Sequence, residues 1–360
     1  MSVRPLARGG AFGLATMLVE KATALMLLVL LARALGPDDF GIYSFVIAYL
    51  TLFQVLADGG LEPTLLRRLA EEPEDRAPWL GNGVLLRLVL ATVSGALAVA
   101  VLPLTVPAAE GLRWPIALGA SGLLLVGQPG FRALLRAEGR LDAVFGVAAA
   151  TQVMLFAFVA SALALGTGLD VILISISTAH LLGFALGGWI ACRDVRPHWG
   201  MERWGALLVE AWPVGANVFA VLLGLRVAPV LLMTFGGPSA VGLLGASTRL
   251  AEALNLFAEG LMLAVFPLLA AWSSGRSESF LELSRASAKT LGCLLLPVAL
   301  VLHFQAGEFL ALLLGPDFRA AGPVLGLLGW FAVLSGLGTL YTNQLVALSL
   351  IHISEPTRPY

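Results

Sequence analysis

Ten apolar runs, each long enough to cross a bilayer as a helix, alternate with short polar loops. They cover residues 10–33, 41–58, 83–104, 114–135, 143–165, 170–192, 208–234, 240–270, 288–304 and 321–346. A helix of about 20 apolar residues matches the hydrocarbon core of a membrane. In lipid only helices and closed barrels satisfy every backbone polar group. These runs are continuously apolar rather than alternating, which excludes a barrel. Composition agrees: 12% of residues are charged and mean hydropathy is +0.90, where soluble domains carry about 25% charged residues. The expected fold class is an all-α polytopic membrane protein. The first run follows Arg4 and Arg8 and precedes Ala32-Arg33-Ala34, as a signal peptide would. It is about twice too long for that, and it contains Glu20 and Lys21, so it is expected to stay as a span.

Basic residues fix an orientation. Arg4, Arg8, Arg67, Arg68, Arg76, Arg132, Arg136, Arg140, Arg193, Arg196, Arg203, Arg276, Arg285 and Lys289 fall on one side of the ten-span arrangement, against Arg113 and Arg319 on the other, with Arg33 at a span edge there. The basic side faces the cytoplasm, together with the N-terminus. One missed span would scramble this alternation.

The chain also repeats itself. A shift of 201 residues, without gaps, lays Val29-Leu30-Leu31 on Val230-Leu231-Leu232, Gly36-Pro37 on Gly237-Pro238, Gly41 on Gly242 and Ala57-Asp58-Gly59 on Ala258-Glu259-Gly260. Six spans separate the copies, so both point the same way. This predicts two parallel pseudo-repeats around a central cavity, with lobes at 1–200 and 201–347.

The first part of the loop after Asp58 reads as a short amphipathic helix on the cytoplasmic surface, and Leu310–Leu314 as an outer interfacial helix. Cys192 and Cys293 read as apolar packing residues. Gly9, Gly183 and Gly322 each have a second glycine four residues on, a spacing that permits close helix contact. Pro213, Pro229 and Pro267 suggest bends. Residues 348–360 stand apart: LSLIHISEPTR, Leu348–Arg358, is similar to the translation of a common transposase sequencing adapter. The natural chain is therefore expected to run past Ala347 into at least two more spans, for twelve or more in all.

Three stretches carry a resemblance: LLARALGPDDFGIYSFVIAYLTLFQVLADGGLEPTLLRRLA, GPSAVGLLGASTRLAEALNLFAEGLMLAVFPLLA and FLALLLGPDFRAAGPVL. Together they resemble the polysaccharide flippases of O-antigen and capsule repeat units, within the multidrug/oligosaccharidyl-lipid/polysaccharide exporter superfamily. The resemblance implies two lobes around a cavity that opens alternately to each side. It implies a substrate too: an undecaprenyl-pyrophosphate-linked oligosaccharide carried from the inner to the outer leaflet of a prokaryotic plasma membrane. Membrane lipids and other polysaccharide-assembly proteins are the further candidate partners.

Charged groups inside a bilayer cost about 2.5–3.5 kcal/mol each on insertion scales and call for a reason. Lys21, Arg226 and Arg249 lie about 18, 12 and 14 Å from the outer ends of their spans at 1.5 Å per residue. They form one cation level suited to a pyrophosphate. Arg249 and Glu252 are also one turn apart and suit a local ion pair. Glu252, Asn255 and Glu259 share one helix face, and the repeat places Thr51, Gln54 and Asp58 at the same positions of the second span. Such a stripe lines a polar cavity or meets another helix; with Glu20 it is the candidate site of ion coupling. Asp58 and Glu259, near the cytoplasmic boundary, could instead cap or gate that end. Arg87 and Glu210 are expected to snorkel, and His180 to be packed.

No phosphate-binding glycine loop for ATP, no metal cluster and no nucleic-acid patch occurs in the sequence, so neither an enzyme nor a cofactor is expected beyond a coupling ion of unassigned identity. The rivals are a cation-coupled exporter of drugs or small molecules on the same fold, and a membrane glycan polymerase or ligase. Short outer loops without paired carboxylates argue against the latter.

Overall fold

In the computed structural model of the chain, residues 3–106, 110–123, 125–126, 130–272 and 277–354 are described. Among them every regular element is helical. The α-helices are α1 (Val3–Asp58), α2 (Leu61–Glu71), α3 (Arg76–Thr105), α4 (Arg113–Leu123), α5 (Phe131–Ala137), α6 (Leu141–Ala164), α7 (Leu169–Ala191), α8 (Trp204–Trp272), α9 (Ser277–Leu314) and α10 (Gly322–Ser354). Among the described residues, seven helical stretches are long and apolar enough to cross a membrane. The protein is a multi-pass membrane protein.

Two of these helices are too long for one crossing. At 1.5 Å per residue, the 56 residues of α1 and the 69 of α8 would extend about 84 and about 104 Å, against a hydrocarbon core of about 30 Å. Each turns at a single glycine: Gly36 (φ 69°, ψ 178°) in α1 and Gly237 (φ 75°, ψ −178°) in α8. That backbone region is essentially closed to residues with a Cβ. Pro37 and Pro238 follow at the start of the next helical stretch, where a missing N–H costs nothing. The Gly-Pro of the repeat is thus the corner between two spans. Its next shared glycine has a different use: a Cβ on Gly41 would overlap the Pro238 carbonyl, and a Cβ on Gly242 the Pro37 carbonyl. The two corners pack reciprocally, backbone on backbone. The non-helical backbone in α8 falls at Gly237, while Pro213, Pro229 and Pro267 lie within helix.

Other expectations need correction. The span at 114–135 is not one helix but α4 and α5. Leu125 and Val126 form a turn between them, and Gly130 takes φ 83°. The sequence Gly127-Gln128-Pro129-Gly130 opposes a continuous helix, because proline disfavours helical geometry in the residue before it. The interfacial helix at Leu310–Leu314 is the last turn of α9, which ends at Gly315 (φ 117°) ahead of Pro316. The amphipathic α2 does not lie on lipid. Leu61, Leu65 and Leu69 are buried in a core with Trp79, Leu80 and Val84 of α3 and Phe131 and Leu134 of α5. Residues 348–354 continue α10 as helix; the rest of the expected adapter-derived tail, 355–360, lies outside the described residues.

The chain divides into two compact units, Met1–Gly242 and Leu243–Tyr360. The first stretch of α8, which the repeat assigns to a second lobe beginning at 201, belongs with the first unit. In that unit a Cβ on Gly183 of α7 would meet the Thr151 side chain of α6, while one on Gly13 would meet nothing within 4 Å. In the second unit α8, α9 and α10 bury Ala258, Leu291, Leu295 and Leu340. There Gly322 would bring a Cβ to 2.8 Å from the Gly307 backbone.

Candidate functional site

The first unit encloses a cavity of about 530 Å³. Its wall mixes polar and apolar side chains. Thr16, Glu20, Thr51, Gln54 and Asp58 come from α1, Glu62 from α2, Arg87 from α3 and Arg132 from α5. Thr151 and Gln152 come from α6 and His180 from α7; the apolar side is Val214, Val218 and Leu222 of α8. Leu125 and Val126, in the break between α4 and α5, also line it. Non-helical backbone at membrane depth is tolerated where it faces a cavity, which accounts for the break.

The charges in the wall are organised. Arg87 is 3% exposed, its Nη1 3.5 Å from Asp58 Oδ1 and 3.5 Å from the Gln54 carbonyl oxygen. Arg132 donates from Nε and Nη2 to the two Glu62 oxygens at 2.9 and 2.8 Å, and Arg136 Nη1 adds a third bond at 3.3 Å. Two-pronged pairing of this kind is the strong form of a carboxylate–guanidinium contact. Glu20 differs: its carboxylate has no hydrogen bond or ion pair among the described residues, and it sits in the field of Arg132 and Arg136. Thr16 and Thr51 donate to the carbonyls of Phe12 and Ile47 at 2.8 and 2.7 Å, which leaves their oxygens as acceptors toward the cavity. The wall therefore offers carboxylates, guanidiniums, amides and hydroxyls to one ligand.

One end of the unit is tied by a second set of charges. Glu210 of α8 pairs with Arg67, at 2.6 Å, and with Arg68 of α2. Arg203 Nη2 reaches Asp75 Oδ2 at 2.6 Å, and its guanidinium lies over the Trp79 ring. Arg140 pairs with Asp194. Trp79 Nε1 donates to Glu72 at 2.7 Å; that bond, with the Arg68 guanidinium, holds the Glu72 carboxyl below its ordinary range. Loops that the basic-residue count assigns to a single side of the membrane are thus joined to one another.

The sequence-derived site residues are distributed as follows. Glu20, Thr51, Gln54 and Asp58 line the cavity. Lys21 is half-buried beside Glu20 and is not in the wall; Arg226 is half-buried on α8, one turn beyond Leu222. Arg249, Glu252, Asn255 and Glu259 lie in the second unit, where Arg249 and Glu252 are both engaged and Asn255 Oδ1 is buried without a hydrogen bond. One side chain behaves differently from expectation: Arg87 does not snorkel but is buried against Asp58. Glu210, near the start of α8, is held by two arginines, and His180, partly buried, borders the cavity. Glu62, Arg132 and Gln152 went unread. The one sequence signal for the first two is Arg132 and Arg136 at i, i+4, which present two cations on one face.

Comparison with known proteins adds a family and a fold. A family model described as "Polysaccharide biosynthesis protein" matches residues 6–272. The fold is similar to an inward-facing multidrug resistance MATE family transporter of the MOP superfamily, with TM-score 0.62 and 15% identity over 92% of this chain and 83% of that one. It is also similar to the MATE multidrug transporter DinF-BH, solved in complex with a ligand, with TM-score 0.58 and 17% identity over 96% and 85% of the two chains. No match was found among curated proteins.

Proposed function

The chain belongs to the polysaccharide biosynthesis protein family, and on that premise we propose that it is a flippase for a lipid-linked oligosaccharide. It carries an undecaprenyl-pyrophosphate-linked oligosaccharide from the inner to the outer leaflet of a prokaryotic plasma membrane by alternating access, with its N-terminus in the cytoplasm. The observation that supports this reading is the polar cavity inside a membrane unit. A hydroxyl-rich, anionic ligand needs amides, carboxylates and guanidiniums together, and an apolar drug does not. Lys21 and Arg226 of the same unit supply cations for the pyrophosphate, with Arg249 of the second unit a separate candidate, and Glu20, whose carboxylate faces the cavity, takes the coupling cation.

A second reading, a cation-coupled exporter of drugs, is favoured by the likeness to MATE multidrug transporters. Ligand-induced stabilisation separates the two. A ligand at 100 times its Kd stabilises a protein by about 2.7 kcal/mol. Purified protein should melt several degrees higher with a polyprenyl-pyrophosphate-linked oligosaccharide and unchanged with a cationic rhodamine dye. The reverse pattern would favour the exporter.

A further inference from the structure

The turn between α1 and α2 is gripped from two sides. Toward the cavity, the residues that flank it are Asp58 and Glu62. Asp58 faces Arg87 of α3, and Glu62 holds Arg132 and Arg136 of α5. On the opposite side Gly59 and Gly60, both with positive φ (54° and 80°), lie against the backbone of α8. A Cβ on Gly60 would stand 2.5 Å from the Ala211 oxygen and 2.8 Å from the Gly215 nitrogen; one on Gly215 would stand 2.5 Å from the Gly59 oxygen. The third neighbour of a Cβ on Gly60 would be the rigid Cβ of Val214, at 3.0 Å, and packed groups of this kind transmit displacement rather than deform.

The other copy of the repeat lacks this arrangement. Ala258-Glu259-Gly260 keeps the Ala-acidic-Gly pattern, but Leu261 stands where the first copy has Gly60, the backbone stays helical, and a Cβ on Gly260 would meet no neighbouring element within 4 Å. The second glycine, the turn and the contact with a neighbouring helix occur together, in the first copy alone.

We propose that the Asp58–Glu62 turn is a coupling element, which converts the state of the cavity charges into the seating of α8 at Ala211–Gly215. This rests on the reading of the cavity as a ligand site. The two carboxylates are committed to guanidiniums on α3 and α5. An anionic group that takes Arg87 or Arg132, or a cation that takes Asp58 or Glu62, must exchange with those pairs. The turn lies between the two carboxylates and moves with them. Val214 lies within the seat and Val218 one turn beyond it, and both line the same cavity, so a helix lifted from its seat changes access to the ligand. Coupling of this kind is reciprocal: a change at the seat must alter the cavity pairs by the same free energy.

The test reads the position of α8 directly, without substrate, so it can fail while the transport reading stands. In a Cys192→Ala, Cys293→Ala background, the reporter Val214→Cys is labelled with a membrane-impermeant maleimide. Asp58→Asn and Glu62→Gln should each change its labelling rate several-fold, while a distant reporter in the same unit, Ser239→Cys, keeps its rate. Asp58→Asn with Arg87→Met removes the tether without leaving a lone buried cation. It should label like Asp58→Asn yet melt near the parent, which separates coupling from loss of fold. Gly215→Ala, which drives a Cβ into Gly59, should give the same labelling change, and adding Asp58→Asn to it should add nothing further. Unchanged Val214→Cys labelling in these variants would overturn the proposal. Equal changes at Ser239→Cys would do so as well, since they report general loosening.

Discussion

Asp58→Asn should destabilise the protein through the arginine it leaves behind. Arg87 is 3% exposed, and its Nη1 lies 3.5 Å from Asp58 Oδ1. At that distance two unit charges attract by about 5 kcal/mol at an effective dielectric constant of about 20. Removing one member of a buried pair costs about 3–5 kcal/mol. The Asp58 side chain is 30% exposed to the cavity, where water screens it, so the lower end applies: about 3 kcal/mol. Domains of about 150–250 residues shift by about 2–4 °C per kcal/mol and larger chains by less, so the melting midpoint should fall by a few degrees. Arg87→Met should cost less, because the cavity can solvate the remaining carboxylate. The double variant should return to within about 1 kcal/mol of the parent, since a buried ion pair exchanged for neutral groups is often near neutral. Tryptophan fluorescence of the purified protein, heated at one scan rate, gives all four midpoints of this cycle. Additive losses in the double variant would refute the argument, because they would mean that Arg87 does not depend on Asp58.

Gly41→Ala and Gly242→Ala each place a methyl group on a facing carbonyl, and overpacking of this kind costs about 1–3 kcal/mol or more; both should lower the melting midpoint, whereas Gly13→Ala, with open space around it, should leave it within experimental error. Cysteines at Ser239 and at Arg196, in a background without Cys192 and Cys293, should label from opposite sides of the membrane, Ser239 from outside; labelling of both from one side would end the ten-span arrangement. Alanine at Lys21, Arg226 or Arg249 should abolish or strongly reduce flipping at normal protein levels, while Lys21→Arg, which keeps the charge, retains part of it. Full activity in all three alanine variants would remove the cations from the site.

Much of the fold is legible in the sequence because lipid leaves few choices. Continuous apolar runs must be helices, and the basic loops report which ends lie together, as the Arg140–Asp194 and Arg203–Asp75 pairs bear out. The repeat is legible too, since a corner with φ near +70° followed by a helix start demands Gly-Pro in both copies. Where local rules compete, the sequence is less clear. The 114–135 run is apolar enough for a span, and the Gly-Gln-Pro-Gly inside it argues for a break; periodicity alone does not rank the two. The site is harder still. Glu20, Thr51, Gln54 and Asp58 are readable as polar residues in apolar helices. Glu62 sits in a segment that reads as a loop and Arg132 at the end of the 114–135 run, and their partnership joins positions 70 residues apart. Arg87 looks like a boundary residue until α1 is seen to bring Asp58 against it.

The central claim, that this protein moves a lipid-linked oligosaccharide, is tested most directly in proteoliposomes. A fluorescent polyprenyl-pyrophosphate-linked oligosaccharide is placed in both leaflets, and the fraction reached by an impermeant quencher is followed over time. Protein-containing vesicles should redistribute the label far faster than protein-free vesicles, and Glu20→Gln should remove the response to an imposed cation gradient. Redistribution no faster than in protein-free vesicles, alongside gradient-driven export of a rhodamine dye from the same vesicles, would contradict the account.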